Sequence, residues 1–174
     1  MAATFRKGGI HPSDQKGLTR HLAIETMALP ARLVVPVVQS AGAPAEPVVK
    51  ARDEVRTGQV IAKAAGNVSA NVHAPASGVV KSVGPFRTTV GQAVTCVEIE
   101  SDGQDAWVDT VLPEPEAIDL SAPTDLLARI DEAGVVGMGG AAFPTRVKLT
   151  PPPDARIDCL VVNGAECEPY LTAD

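Results

Sequence analysis

Between Arg32 and Trp107 the hydrophobic positions gather into short, Val-rich runs: Leu33 to Val38, Pro47 to Ala51, Gln59 to Ala62, Ser69 to Ala74, Gly78 to Val83 and Val94 to Glu100. Gly, Pro and Asn punctuate them. Runs this short and this β-branched predict strands, because branched side chains pack well on a pleated, half-buried surface. Beyond Leu112 the period changes. Leu126, Leu127 and Ile130 recur at three- and four-residue steps, the spacing of one helical face, with Thr124 placed to cap the start and Gly134 placed to close the end. A glycine-rich loop follows to Phe143, Pro144 to Leu149 opens a second helix, and the run Ile157 to Val162, apolar but for Asp158, suits a buried parallel strand. Between the two regimes Leu112-Pro113-Glu114-Pro115-Glu116 forms a stiff acidic connector, since each proline fixes φ and removes a backbone donor. The expected organisation is therefore an irregular segment over 1–30, a β module over 31–110, a Pro-rich linker over 111–123 and the beginning of an α/β domain over 124–174, an α+β chain as a whole.

The β module carries an internal echo. Ala43-Pro44-Ala45-Glu46-Pro47-Val48-Val49-Lys50 returns 31 residues later as Ala74-Pro75-Ala76-Ser77-Gly78-Val79-Val80-Lys81. Two copies are too few for a solenoid but suit a small sandwich of two similar halves, each covering the other's apolar face.

Composition narrows the function. Fifteen Lys+Arg against 21 Asp+Glu give a net charge of −6, and no basic stripe offsets it, which disfavours nucleic acid as a partner. With one Trp, one Tyr and three Phe, the core must be built from Ala, Val and Ile. No apolar run approaches the ~18 residues that span a bilayer, so direct membrane insertion is not expected. Cys96, Cys159 and Cys167 are spaced by 63 and 8, which matches neither a disulfide framework nor a zinc or iron–sulfur pattern. His11, His21 and His73 are scattered, and no metal site is expected.

Two stretches carry candidate chemistry. In Gly134-Val135-Val136-Gly137-Met138-Gly139-Gly140-Ala141-Ala142-Phe143-Pro144-Thr145-Arg146-Val147-Lys148, glycines at 137, 139 and 140 leave out Cβ atoms where a backbone must approach a ligand, and allow consecutive N–H groups to point inward. A helix opening at Pro144 adds the positive end of its dipole, and Lys148 one turn later adds charge, a combination suited to phosphate. The stretch fits neither a Walker loop nor a dinucleotide fingerprint, and by itself serves equally as a tight interdomain turn. The second stretch, Asn163-Gly164-Ala165-Glu166-Cys167-Glu168-Pro169, leaves the carboxyl end of the expected strand, the edge where open α/β sheets take ligands. The Asn163 amide offers donor and acceptor to a flavin ring edge. Of Glu166 and Glu168, one suits ribityl or ribose hydroxyls and the other a nicotinamide amide. A solvated acidic loop is the plain alternative.

The run Val72-His73-Ala74-Pro75-Ala76-Ser77-Gly78-Val79-Val80 resembles the second half of biotinyl and lipoyl carrier domains, which are barrel-sandwich hybrids. Where those families place the modified lysine in a hairpin tip, this chain has Asn67, which cannot form the amide. Lys63 is the nearest lysine and lies in or beside a strand. The resemblance thus implies the fold without the carrier chemistry, and a packing or docking role.

Together, Gly137-x-Gly139-Gly140-Ala141-x-Phe143-Pro144-Thr145-x-x-Lys148 and Asn163-x-x-Glu166-x-Glu168-Pro169 resemble the FMN and NADH site of the flavin-bearing subunit of respiratory complex I. With Phe5-Arg6-Lys7-Gly8-Gly9-Ile10-His11-Pro12 ahead of the barrel, the whole chain is similar to the C subunit of the Rnf electron-transport complex. That resemblance implies a barrel-sandwich hybrid followed by the start of a Rossmann-like flavin-binding domain. It puts Gly137, Gly139, Gly140, Lys148, Asn163 and Glu166 on the flavin pattern and Phe143 and Glu168 on positions contacting NADH. Met138 where complex I has arginine, Ala165 where it has aspartate, and Pro151 near an expected second aromatic are departures that imply fewer phosphate and ribityl contacts and weaker NADH capture. The implied protein is peripheral, on the cytoplasmic face of the bacterial inner membrane, and works with the other subunits of a membrane complex. It passes hydride from NADH to FMN and electrons to four-iron (4Fe-4S) clusters. The cysteine runs for those clusters do not occur in this sequence, so the chain reads as an amino-terminal fragment, inactive alone and without catalytic acid or base. The alternative is a non-catalytic scaffold resembling the A subunit of the sodium-pumping quinone reductase.

Overall fold

A computed structural model of the chain describes residues 12–89, 91–109, 122–138, 140–162 and 168–170. The chain divides into two compact units, Ala28–Ala155 and a second composed of Met1–Met27 with Arg156–Asp174.

In the first unit seven strands form two antiparallel sheets. Strands β1 (Arg32–Pro36), β7 (Ala93–Ser101), β6 (Gly78–Arg87) and β3 (Glu54–Val55) pair in that order, while β2 (Glu46–Pro47), β4 (Val60–Lys63) and β5 (Val72–His73) make the smaller sheet. Val35, Val80, Val97 and Ile99 of the larger sheet pack with Ile61, Ala62 and Val72 of the smaller, and Val55, Ala45 and Ala74 complete the core. Among the described residues no aromatic side chain belongs to this core. Ile61, Val97 and Ile99 are 0% exposed, and small branched groups of this kind let two sheets approach closely with their inner faces interdigitated. Ala45 and Ala76, one repeat apart, are both buried.

The alternation written into β6 and β7 decides which face is wet. Val80 lies opposite Ile99 inside, while on the outer face Lys81 pairs with Glu100 at 2.6 Å and Glu98 accepts hydrogen bonds from Ser82 and Arg32. Below the sheets, the buried Ser77 hydroxyl donates to Asp102 (2.7 Å) and accepts from the Ala106 amide (2.9 Å), and the buried Thr57 hydroxyl donates to Asp105 (2.7 Å). These bonds hold the segment after β7 against the barrel, where Thr57 and Trp107 form a parallel bridge.

Several elements differ from expectation. Of the run Pro47 to Ala51, only Pro47 is strand, together with its neighbour Glu46 in β2. The Asp53 carboxylate accepts from the Lys50 amide and turns the chain back, so that Glu54–Val55 forms an additional strand, β3. Strand β6 runs past Val83 to Arg87 because the β6–β7 ribbon stays paired to Arg87↔Ala93. Helix α1 spans Pro123–Glu132, so Thr124 lies inside it; Ala122 takes the capping position without a side-chain bond, and Pro123 starts the helix with its preset φ. Helix α2, Thr145–Lys148, is a single turn. The run Ile157 to Val162, in the second unit, is not a strand: Ile157 is 66% exposed and Val162 81%. A parallel strand is closed on both sides by neighbours, and no described residue pairs with this run.

Two expectations about stability follow. Ile99→Ala removes buried volume from the middle of β7 and lowers unfolding free energy by about 2–5 kcal/mol, measurable by urea denaturation of the chain. Hydrogen bonds from Ser82 and then Arg32 hold the Glu98 carboxyl below its ordinary 4.5, and the Gln104 amide with the Ser77 hydroxyl hold Asp102 below 3.8. Both folded values are depressed, so this stabilisation is complete above the ordinary values and is lost as pH falls through the folded ones. The thermal midpoint is therefore level at neutral pH and falls below about pH 4.5, and Asp102→Asn makes that acid limb shallower.

Candidate functional site: the glycine loop and its supports

Helix α1 ends in a double backbone turn. The Gly134 amide donates to the Asp131 carbonyl (3.0 Å) and the Val135 amide to the Ile130 carbonyl (3.2 Å), the Schellman pattern, with Gly134 in the left-handed region at φ +64°. The expected closing glycine is thus in place. From there the chain enters a loop with a narrow neck: Val136 and Pro144 form an antiparallel bridge, the Thr145 amide donates to Val135 (3.0 Å), and the Gly137 amide donates to the Phe143 carbonyl (2.9 Å). Pro144 is fully buried at the neck.

Among the expected site residues, the structure brings Gly137 and Lys148 together. The turn of α2 carries Lys148 back over the loop until its Nζ occupies the space a Cβ at position 137 would need. A side chain at 137 would have to push the lysine ammonium aside. Gly140 has φ +78° with open space beside it, Met138 is largely exposed, and Phe143 is half-buried. One expectation is modified: the Gly137 amide is spent on Phe143 inside the loop, so it does not belong to the inward-pointing set. Another loses force, because a four-residue α2 sums few peptide dipoles. The positive charge at this loop comes from Lys148. Gly139, Asn163, Ala165 and Glu166 lie outside the described residues. Glu168 is exposed in the second unit, and Pro151 is exposed in the first.

The supports of the loop come from the barrel, and sequence reasoning missed them. Asn71, just before β5, accepts from the Ala64 amide through Oδ1 (2.9 Å) and donates through Nδ2 to the Asp131 (3.2 Å) and Glu132 (3.3 Å) carbonyls at the end of α1. His73 Nε2 lies 3.1 Å from the same Glu132 carbonyl and donates to it, which fixes the proton on that nitrogen. Arg146 of α2 donates through Nε to Asp131 (2.7 Å) and through Nη2 to the carbonyl of Asn67 (3.3 Å). Asn67 is the residue that the carrier resemblance puts at the lysine position, and its carbonyl ties the barrel tip to α2. Lys63, by contrast, is exposed at the end of β4 opposite Glu46. A readable signal existed: Asn71 and His73 flank the buried Val72, so strand alternation puts both polar side chains on the face opposite the core.

A cleft of about 920 Å³ opens where the barrel meets α1, lined by Thr57, His73, Asp105, Trp107, Arg129 and Glu132 among others. None of the described glycine-loop residues lines it. Among the described residues no helix is long and apolar enough to cross a membrane.

Comparison with known proteins accounts for both parts. Residues 3–104 match the model of the RnfC barrel sandwich hybrid domain, and residues 130–174 match that of the Nuo51 FMN-binding domain. The chain is 47% identical over 174 residues to the C subunit of the proton-translocating ferredoxin:NAD(+) oxidoreductase complex of Clostridium ljungdahlii, covering 100% of this chain and 38% of that protein. It is 47% identical over 173 residues to the C subunit of the ion-translocating oxidoreductase complex of Rhodobacter capsulatus, covering 97% and 32%, respectively. Against the C subunit of the Na(+)-translocating ferredoxin:NAD(+) oxidoreductase complex of Acetobacterium woodii it is 44% identical over 168 residues, covering 97% and 38%. The chain thus spans about a third of the length of these curated relatives. With a barrel-sandwich hybrid carrying a glycine loop on its flank, and the barrel model matched over more than half of its residues, this chain belongs to the RnfC family.

Proposed function

We propose that this chain is the amino-terminal part of the peripheral C subunit of a membrane ion-translocating oxidoreductase, and that its glycine loop receives the phosphate of FMN. The observation that carries this reading is the Lys148 ammonium lying over Gly137, inside the segment matched by the FMN-binding domain model. A lysine ammonium lying beside a Cβ-free backbone presents positive charge at the loop, which suits a phosphate monoester dianion. The residues present fit the group on that side.

The remainder of the site rests on the family pattern. Asn163 and Glu166 hold the isoalloxazine edge and the ribityl hydroxyls, while Phe143 and Glu168 meet the nicotinamide nucleotide; the names of two relatives include NAD(+) as a reactant. FMN, when bound, supplies a carrier able to take two electrons together and release them singly. The chain's own residues bind and orient, and none serves as acid or base. The four-iron clusters that receive the electrons belong to the remainder of the full-length protein. The complex's other subunits hold it at the cytoplasmic face of the inner membrane.

Titration of FMN into the full-length protein, followed by flavin fluorescence, tests the reading. Saturable binding is expected, with FMN preferred over riboflavin. Lys148→Ala should weaken FMN by roughly tenfold or more, the loss of one charge-assisted contact, while leaving riboflavin almost unaffected. Gly137→Val, whose side chain must displace Lys148, should do the same. Absence of flavin binding by the full-length protein would favour the non-catalytic scaffold resembling the A subunit of the sodium-pumping quinone reductase.

A further inference from the structure

The geometry points to a second job for the barrel: we propose that Asn71 and His73 are positioning residues that hold the glycine loop in its binding shape from outside the flavin domain. The functional half of this inference rests on the loop being the FMN phosphate site.

A helix leaves its last carbonyls without intrahelical partners. In α1 the Schellman turn satisfies Ile130 and Asp131, and the barrel reaches the carbonyls of Asp131 and Glu132 through the Asn71 amide and the His73 imidazole. Gly134 is pressed against the same strand: a Cβ there would stand 2.6 Å from the Asn71 carbonyl oxygen and 3.1 Å from the His73 ring. The helix end therefore cannot slide along the barrel without breaking these bonds. Gly134 is followed at once by the neck residues Val135 and Val136, so whatever fixes the helix end fixes the entrance of the loop.

The exit is gripped as well. Arg146, in the turn that also carries Lys148, bridges Asp131 and the Asn67 carbonyl at the barrel tip. Between entrance and exit, the Ala41 amide donates to the Ala142 carbonyl (3.2 Å), where Ala142 sits at φ +47°, an unfavourable value for a residue with a Cβ. Barrel residues from two separate segments, 41 and 67–73, thus hold the loop at its start, middle and end. Such a loop has its conformational entropy removed by the scaffold before a ligand arrives.

Two substitutions isolate the grip without emptying the barrel core. Asn71→Asp keeps the oxygen that accepts from Ala64 but replaces the amide donor with a carboxylate facing two carbonyls. His73→Leu removes the ring donor, and His73→Gln restores an N–H donor at comparable reach. In the full-length protein, amide hydrogen exchange is measured without FMN over 135–148 and over the barrel core at 97–99, together with FMN affinity. Asn71→Asp and His73→Leu should speed exchange over 135–148 by roughly tenfold while core exchange is unchanged, and should weaken FMN by a similar factor. His73→Gln should lie near wild type in both. Unchanged exchange over 135–148 in Asn71→Asp and His73→Leu overturns the proposal. So does faster exchange with undiminished FMN affinity. Faster exchange in a protein whose wild type takes up no FMN supports the grip and removes the flavin reading instead.

Discussion

The carbonyls at the end of α1 are the hinge of this structure. A helix ten residues long has little stability of its own in water, and α1 buries no side chain fully. Its position is set by where its terminal carbonyls find donors. Half of those donors are local, in the turn at Gly134, and half are on another fold, in the strand that begins after Asn71. Remove the second half and, among the described hydrogen bonds, those of Arg146 and of the Ala41 amide remain to tie α1, the neck and the glycine loop to the barrel. The docking is polar and directional, so it specifies one registry of helix on sheet where an apolar contact would tolerate several.

The barrel is suited to this task by its stiffness and by its exposed edge. Its core is a close-packed set of Val, Ile and Ala with no flexible Met or large aromatic group, and its two long strands share a continuous register from Gly78↔Ser101 to Arg87↔Ala93 apart from one bulge. β5, in contrast, is a two-residue strand at the margin of the smaller sheet. Margins of this kind present unpaired groups and are normally covered. Here the side chains of Asn71 and His73 turn outward from this strand to the end of α1 and complete the end of the helix.

Much of the sheet architecture was legible because alternation and turn residues act locally. The runs around Val35, Val80 and Val97 carry their inward face in their own spacing, and Gly134 declares a helix end through the φ value only glycine takes cheaply. The glycine loop was legible as a loop, and Lys148 was legible as its nearby charge, whereas its position over Gly137 is given by the fold. What was not legible depends on partners far away in sequence. Pro47 to Ala51 has strand composition, but Asp53 captures the Lys50 amide and bends it. Ile157 to Val162 has the composition of a buried strand, and no described strand stands beside it. Asn71 and His73 looked like ordinary polar residues flanking Val72; only the fold shows what lies opposite them, since α1 begins 50 residues after β5 ends.

The carrier resemblance gains a physical meaning from the same contacts. A swinging carrier needs a free hairpin tip, with its lysine reaching away from the barrel and nothing held against the backbone. Here the tip residue Asn67 offers its main-chain carbonyl to Arg146, whose other nitrogen is tied to Asp131. A tip engaged through its backbone cannot swing. Nor does that engagement depend on the side chain at 67, because a carbonyl is present whatever residue stands there. With Arg146 on its backbone, the hairpin that the carrier resemblance would make mobile is instead tied to the turn that follows the glycine loop.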